Sequence, residues 1–136
     1  TAEEITLQDL LPLLERLRAR GHLLAVATGK SRRGLDEALH SVSLRGLFDA
    51  TRTADETASK PNPLMLLELM REFGTEPERT LMIGDTTHDL LLARNAGTPS
   101  AAVAFGAHGH ESFAEFGPLY VAHSTRELHD WLLSNA

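Results

Sequence analysis

The sequence predicts an α/β fold in which a parallel β-sheet is covered by helices on both faces. Short, continuous apolar runs, which are typical of buried strands, alternate along the chain with longer segments of helical periodicity. Glycine follows several of the helical segments, where it commonly ends a helix. Strands that alternate with helices favour a parallel sheet, because parallel strands need crossover connections.

The first predicted element is a helix over residues 7–20, because its leucines recur on one helical face and Gly21 follows it. The other helices are expected over residues 32–42, 61–73, 90–96 and 125–133. The strands are expected over residues 23–27, 48–53, 81–83, 101–105 and 119–122.

Two of these helices have recognisable starts. Pro63 is expected in the first turn of the third helix, and Thr125 is expected to be the N-cap of the last one. In the third helix, Leu64, Leu67 and Met70 recur at helical spacing, and we expect this face to pack in the core.

Composition and charge exclude several classes of function. The 136 residues suit a single domain, and 42% of them are hydrophobic, as in a globular protein. The formal net charge of -6 argues against binding to nucleic acid or to an anionic membrane surface. With no cysteine, disulfides, thiolate metal sites and cysteine nucleophiles are excluded. We expect no membrane span and a cytoplasmic location.

Two carboxylates follow the predicted strand over residues 81–83. Gly84 and Asp85 come directly after it, and Asp89 follows near the start of the next helix. In parallel sheets the chemistry lies at the carboxyl ends of the strands, and paired carboxylates suit Mg²⁺. The alternative is structural, with one aspartate in a turn and the other as a helix N-cap.

Three further polar or glycine positions follow predicted strands or precede helices. Thr28 and Gly29 end the first strand, where a hydroxyl and backbone N–H groups can hold a phosphoryl oxygen. Lys60 precedes a helix, where it could neutralise charge beside carboxylates and phosphate. A turn residue and a surface lysine are the alternatives. A P-loop is excluded, because Leu24 occupies the position of its first glycine.

The histidines near these motifs carry weaker signals. His88 lies between the paired aspartates, and we expect it to point outward. His108 and His110 follow the fourth strand, where metal ligation or substrate contact competes with a simple solvated loop.

The stretches AVATGK, SKPNP and IGDTTHD, the last followed by LLLARNAG, occur in an order that resembles the haloacid dehalogenase superfamily. The resemblance is to its phosphoglycolate-phosphatase-like branch. It implies a three-layer, Rossmann-like core. It also implies that Thr28 and Gly29 bind the phosphoryl group, that Lys60 steadies its charge, and that Asp85 binds Mg²⁺ with Asp89 as a supporting ligand.

The sequence departs from this family in one motif. No Asp-x-Asp occurs, although the family places its nucleophile and its acid–base aspartate in that motif at the end of a first strand. We therefore expect residues 1–136 to form a single core domain that is incomplete at its N-terminus and lacks the first strand and the helical cap. The absent strand would lie between the strands at 23–27 and 81–83. A homodimer or association with the N-terminal segment would satisfy these edges.

The resemblance implies a Mg²⁺-dependent hydrolase of a small phosphate monoester, acting on a small phosphorylated metabolite. The reaction would pass through an aspartyl-phosphate whose nucleophile is not in this sequence. The alternative is a non-catalytic fragment or phosphate-binding module of the same fold. A phosphoacceptor receiver domain is less favoured, because it would need an acidic pair at its first strand.

Overall fold

The computed structural model describes residues 7–41, 46–104 and 113–136. The helices in these ranges are α1 (Leu7–Ala19), α2 (Arg32–Ser41), α3 (Leu64–Phe73), α4 (Thr87–Ala96) and α5 (Thr125–Asn135). The strands are β1 (Ala25–Thr28), β2 (Ala50–Thr53), β3 (Met82–Gly84), β4 (Ser100–Val103) and β5 (Tyr120–Ala122). The predicted order and type of these elements are confirmed. Positions 42 and 105, with His108 and His110, lie outside the described residues.

The capping residues explain why α3 starts later than predicted. Pro63 occupies the N-cap position, and the Asn62 side chain accepts a hydrogen bond of 2.9 Å from the Leu64 N–H. The predicted start at residue 61 is therefore wrong. The helix ends at Gly74, whose φ of 65° is left-handed and favours a residue without a β-carbon.

The N-caps of α4 and α5 also differ from expectation. Thr86 caps α4, so this helix begins three residues before the predicted Leu90. Ser124, rather than Thr125, caps α5, and its side chain accepts a hydrogen bond from the Glu127 N–H. Both caps satisfy a backbone N–H of the first helical turn that has no partner within the helix.

Helices cover both faces of the strands and form three layers. In β1, Val26 packs with the apolar face of α2, while its neighbour Ala27 packs with α3. In β4, Val103 joins the cluster formed by α1 and α5, while Ala102 packs against Leu90 of α4. Because successive strand residues point to opposite faces, α1, α2 and α5 form one outer layer and α3 and α4 form the other.

The buried face of α3 is not the predicted one. Leu66, Leu69 and Met70 are buried, whereas Leu64 and Leu67 are exposed. The buried side chains of α3 contact both α4 and the strands. The buried face of α3 is therefore turned toward α4, which lies in the same layer. The expectation that this face packs in the core is wrong for Leu64 and Leu67 and is confirmed for Met70.

All strand pairs in the described residues are parallel, but they form two separate sheets. β1 pairs with β2, with Thr28 opposite Thr53. β3 pairs with β4, and β4 pairs with β5. No ladder joins β1 to β3 within the described part of the chain. This agrees with the predicted three-layer α/β fold that lacks its first strand.

β1 and β3 are less buried than β4. All four residues of β4 are buried, as expected for a parallel strand covered on both faces. In contrast, Ala25 of β1 is exposed, Ile83 of β3 is 36% exposed, and Leu23 before β1 is 52% exposed. The backbone edges of both strands also have no partner strand on the side away from β2 and β4 in the described residues.

No helix in the ranges that the structure describes is both long enough and apolar enough to cross a membrane.

Candidate active site

One pocket brings together most of the predicted site residues. It has a volume of about 390 Å³ and lies where β1, β2 and β3 end. It is lined by Gly29, Ala54, Ser59, Lys60, Asp85, Thr86, His88 and Asp89. The carboxyl ends of parallel strands are where ligands bind in open α/β sheets. Three separate segments of the sequence therefore converge at one position.

Asp89 is buried beneath this pocket and makes several hydrogen bonds. Its Oδ2 accepts hydrogen bonds from the Asp85 N–H at 3.2 Å, the Thr86 N–H at 3.3 Å and the Thr86 hydroxyl at 3.1 Å. Thr86 Oγ1 in turn accepts from the Asp89 N–H at 3.2 Å. This reciprocal arrangement is a capping box, with Thr86 as the N-cap and Asp89 at the third helical position. Asp89 is thus not itself the N-cap.

Lys60 forms an ion pair with the other oxygen of Asp89. Its Nζ lies in hydrogen-bonding contact with Asp89 Oδ1, and the two side chains are only 17% and 7% exposed. The surface-lysine alternative is therefore wrong. The loop that carries Lys60 is held against α4, because the Asn95 side chain donates a hydrogen bond of 3.0 Å to the Pro61 carbonyl. The ammonium group is thereby fixed at the pocket wall.

Asp85 differs from Asp89 in having a carboxylate with no partner among the described residues. It is half-buried and lines the pocket, and its carboxylate makes no hydrogen bond or ion pair with the described residues. Mg²⁺ is commonly bound through one or two carboxylates, with waters and substrate phosphates as its other ligands. The oxygen donor of Asp85 fits such a site. No group of three acidic or histidine side chains forms a metal cluster among the described residues.

Thr28 and Gly29 lie at the end of β1, and only Gly29 lines the pocket. Since glycine has no side chain, it presents backbone atoms to the pocket. The Thr28 hydroxyl oxygen accepts a hydrogen bond of 3.1 Å from the Lys30 N–H. That bond uses the oxygen as acceptor and leaves the hydroxyl proton available for donation.

The pocket contains residues that the sequence analysis did not assign. His88 is exposed and lines the pocket, so the expectation that it points outward is only partly right. The spacing of Thr86 and Asp89 is a T-x-x-D variant of the capping-box pattern, which could have identified Thr86. Asn95 carries no comparable signal, because its partner Pro61 is distant in sequence.

A second group of polar residues ties the loop after β1 to the loop after β2. Arg32, Thr53, Asp55 and Glu56 form a connected hydrogen-bond cluster beside the pocket. The hydrogen bond from Thr53 holds the pKa of Asp55 below its usual range, and the hydrogen bond from Arg32 does the same for the pKa of Glu56. The Glu56 carboxylate raises the pKa of Arg32. These residues belong to none of the motifs identified in the sequence.

Comparison with known proteins agrees with the predicted family and fold. The family model described as haloacid dehalogenase-like hydrolase matches residues 3–103. The chain is 34% identical over 118 residues to pyrophosphatase PpaX of Halalkalibacterium halodurans, covering 86% of this chain and 55% of that protein. It is 32% identical over 124 residues to phosphoglycolate phosphatase of Vibrio vulnificus, covering 90% and 54%.

A solved structure shows the same fold. The HAD family hydrolase of Deinococcus radiodurans, with bound phosphate and sodium, superposes with a TM-score of 0.82 at 22% identity. The match covers 93% of this chain and 58% of that one. The chain spans about half the length of the curated relatives it matches. On the extent of the family match and the identity to these relatives, the chain belongs to the haloacid dehalogenase-like hydrolases.

Proposed function

We propose that this chain forms the core of a Mg²⁺-dependent phosphatase that hydrolyses small phosphate monoesters. The observation that carries the proposal is the convergence of Gly29, Lys60 and Asp85 on one pocket from three distant parts of the sequence. Each of these residues offers a chemical group that a phosphoryl-transfer site needs. These groups are backbone atoms at a strand end, an ammonium ion and an unpaired carboxylate.

The charge of the pocket supports a metal ion. Its lining carries two carboxylates, Asp85 and Asp89, and the single ammonium of Lys60. With His88 neutral, this lining is net negative and would repel a phosphate dianion. A bound Mg²⁺ would reverse that sign and neutralise charge on the phosphoryl oxygens. Asp85 would hold it, and Asp89 would support the site by fixing the Asp85 backbone through its hydrogen bond at 3.2 Å.

The chain's own groups would orient the phosphoryl group. Lys60, held by Asp89 on one side, would direct its remaining N–H bonds toward the phosphoryl oxygens. Thr28 would donate its hydroxyl proton to one of these oxygens, and the Gly29 backbone would lie beside it.

The covalent step needs a nucleophile that this sequence does not supply. We propose that an Asp-x-Asp segment provides it and forms the aspartyl-phosphate that water then cleaves. The unpaired edges of β1 and β3 support this, because a parallel strand between them would end between Gly29 and Asp85. The segment would come from sequence upstream of this chain. A second copy supplying a strand is the alternative partner.

The curated relatives support a small phosphorylated metabolite as the substrate. The two curated relatives are named for pyrophosphate and phosphoglycolate, both small phosphorylated compounds. We propose the cytoplasm, where such metabolites occur, as the site of action.

A turnover assay tests this proposal. The chain alone and the complete open reading frame would be assayed with p-nitrophenyl phosphate and Mg²⁺. We expect activity only with the complete protein, and Asp85→Asn in that protein should abolish it. A complete protein without Asp-x-Asp that binds orthophosphate but turns nothing over would instead support the binding-module alternative. Turnover by the chain alone that survives Asp85→Asn would contradict the assignment of the site.

A further inference from the structure

The loop that presents Gly29 to the pocket is attached at both ends. At its start, Thr28 is paired with Thr53 of β2 in the parallel ladder. At its end, the backbone N–H of Arg32 donates to both carboxylate oxygens of Asp55, at 3.0 and 3.2 Å. Between them, the Ala54 N–H donates to the Lys30 carbonyl at 3.3 Å. The loop after β2 therefore fixes the position of the loop after β1.

Asp55, whose carboxylate accepts hydrogen bonds from the Arg32 N–H, is itself oriented by the side chain of Thr53. The Thr53 side chain is completely buried, and its hydroxyl lies 2.6 Å from Asp55 Oδ1 and 3.0 Å from Glu56 Oε1. A hydroxyl has a single proton, so it donates to one of these carboxylates at a time. Thr53 stands at the end of a strand, which is a rigid base for the two acidic residues above it.

The Arg32 side chain also links the start of α2 to β2 and to the loop that follows β2. Its guanidinium donates to Glu56 at 2.7 and 3.1 Å and to the Thr51 hydroxyl at 2.8 Å. Arg32 is also the first residue of α2, so the helix start, the loop and the β2 end form one unit. Asp36 also pairs with this guanidinium, at 3.3 Å, but it lies one helical turn away and does not contact the loop.

The exposure of Asp55 and Glu56 indicates that their hydrogen bonds position the loop more than they stabilise the fold. Asp55 and Glu56 are both exposed. Exposed ion pairs contribute little to the free energy of unfolding, because solvent screens them. Catalytic geometry is far more sensitive, since a displacement of about 1 Å can lower the rate roughly 100-fold. The same hydrogen bonds can therefore matter for the pocket and matter little for folding.

We propose that Asp55 is a positioning residue that holds the phosphoryl-binding loop of residues 28–31 in place through the backbone of Arg32. This inference rests on the proposed phosphatase function. Asp55 does not touch the substrate. It acts by keeping the Gly29 backbone and the Thr28 hydroxyl at a fixed distance from Lys60 and Asp85.

The test compares Asp55→Asn with Asp36→Asn in the complete protein. Both variants change a carboxylate near the Arg32 guanidinium into an amide, but only Asp55 holds the loop. For Asp55→Asn we expect kcat/KM for p-nitrophenyl phosphate to fall about 10- to 100-fold, with a matching rise in the inhibition constant of orthophosphate. Asp36→Asn should stay within about twofold. Melting temperatures of the two variants should be similar.

Amide hydrogen exchange provides a readout that does not depend on turnover. In Asp55→Asn, exchange at Lys30 and Arg32 should accelerate relative to Asp36→Asn, because these amides lose their fixed loop conformation. If Asp55→Asn matched Asp36→Asn in both exchange and kcat/KM while the wild type was active, the positioning role would be overturned and the phosphatase function would stand. If the wild-type complete protein hydrolysed no phosphate ester, the proposed function would fail, and the positioning role with it.

Discussion

Gly84 and Asp89 lie so close together that position 84 has no room for a side chain. A β-carbon built on Gly84 would lie 2.6 Å from both the carboxyl carbon and Oδ2 of Asp89, well inside van der Waals contact. Gly84 ends β3, and Asp89 carries the contacts to Thr86 and Lys60. The glycine is needed here for close approach, and not for a turn with positive φ.

Gly84→Ala should therefore disturb the site and the fold together. The added methyl group must displace the Asp89 carboxylate, which is buried and cannot move without losing hydrogen bonds. Overpacking of this kind typically costs about 1–3 kcal/mol, and we expect the free energy of unfolding in urea to fall by that amount. Gly46→Ala is the control, because a β-carbon there meets no described residue within 4 Å. Equal stability of the two variants would contradict the predicted clash.

Asp85 and Asp89 should respond differently to the same substitution. Asp89→Asn leaves the ammonium of Lys60 without its counter-ion, and breaking a buried pair costs about 3–5 kcal/mol. We expect the lower end, because Lys60 keeps 17% exposure. Asp85→Asn removes a carboxylate that has no hydrogen bond or ion pair with the part of the chain that the structure describes, and it should change stability by less than about 0.5 kcal/mol. Urea unfolding of both variants checks this, and a large loss of stability in Asp85→Asn would show that Asp85 has a structural role.

Lys60→Met should strongly lower turnover, because it removes the ammonium group while retaining most of the side-chain volume. Loss of one preorganised charge-stabilising group commonly lowers kcat by about 100-fold or more. The measurement is turnover of p-nitrophenyl phosphate by the complete protein with Mg²⁺. Arg33→Met is the control, because it also removes an ion pair, with Glu37, but on the exposed face of α2. Unchanged turnover in Lys60→Met would exclude Lys60 from the active site.

Glu56 should make a small contribution to stability that depends on pH. Its pKa is lowered in the folded protein from the usual 4.5, mainly by the hydrogen bond from Arg32. A lowered carboxyl pKa stabilises the fold above the unfolded value, and this stabilisation is lost as the pH falls through the folded value. The melting temperatures of wild type and Glu56→Gln should therefore differ slightly at pH 7, because the pair is exposed, and this difference should shrink as the pH falls below 4.5. Glu37→Gln, which removes an exposed pair with Arg33, is the control. A difference that stayed constant across this range would mean that the charge of Glu56 is not involved.

The order of helices and strands could be predicted because it depends on local patterns. Apolar runs, helical spacing and glycines such as Gly74 and Gly97 act within a few residues of the elements they define. The core face of α3 could not be predicted in this way. Leu64 and Leu67 have the same spacing as buried leucines, and only the position of α4 decides which side of the helix is covered.

The same distinction applies to the site. Lys60 and Asp85 were identified because their motifs occur in a known order along the sequence. The pairing of Lys60 with Asp89, and the connection of Arg32 to Asp55, join residues more than 20 positions apart. Such contacts depend on which strands are neighbours. A single sequence does not contain that information until the fold is assigned.

The position of helix α3 between the two sheets bears on how this protein can evolve. Its buried side chains, among them Met70, pack on Ala27 of one sheet and on Met82 of the other. The helix therefore acts as a spacer between the two halves of the molecule. The pocket has one wall on each half, at Gly29 and at Asp85. A larger or smaller side chain in this layer would change the separation of the walls without altering any residue that lines the pocket. Under the proposed function, selection for a substrate of different size can thus act on core volume, away from the pocket.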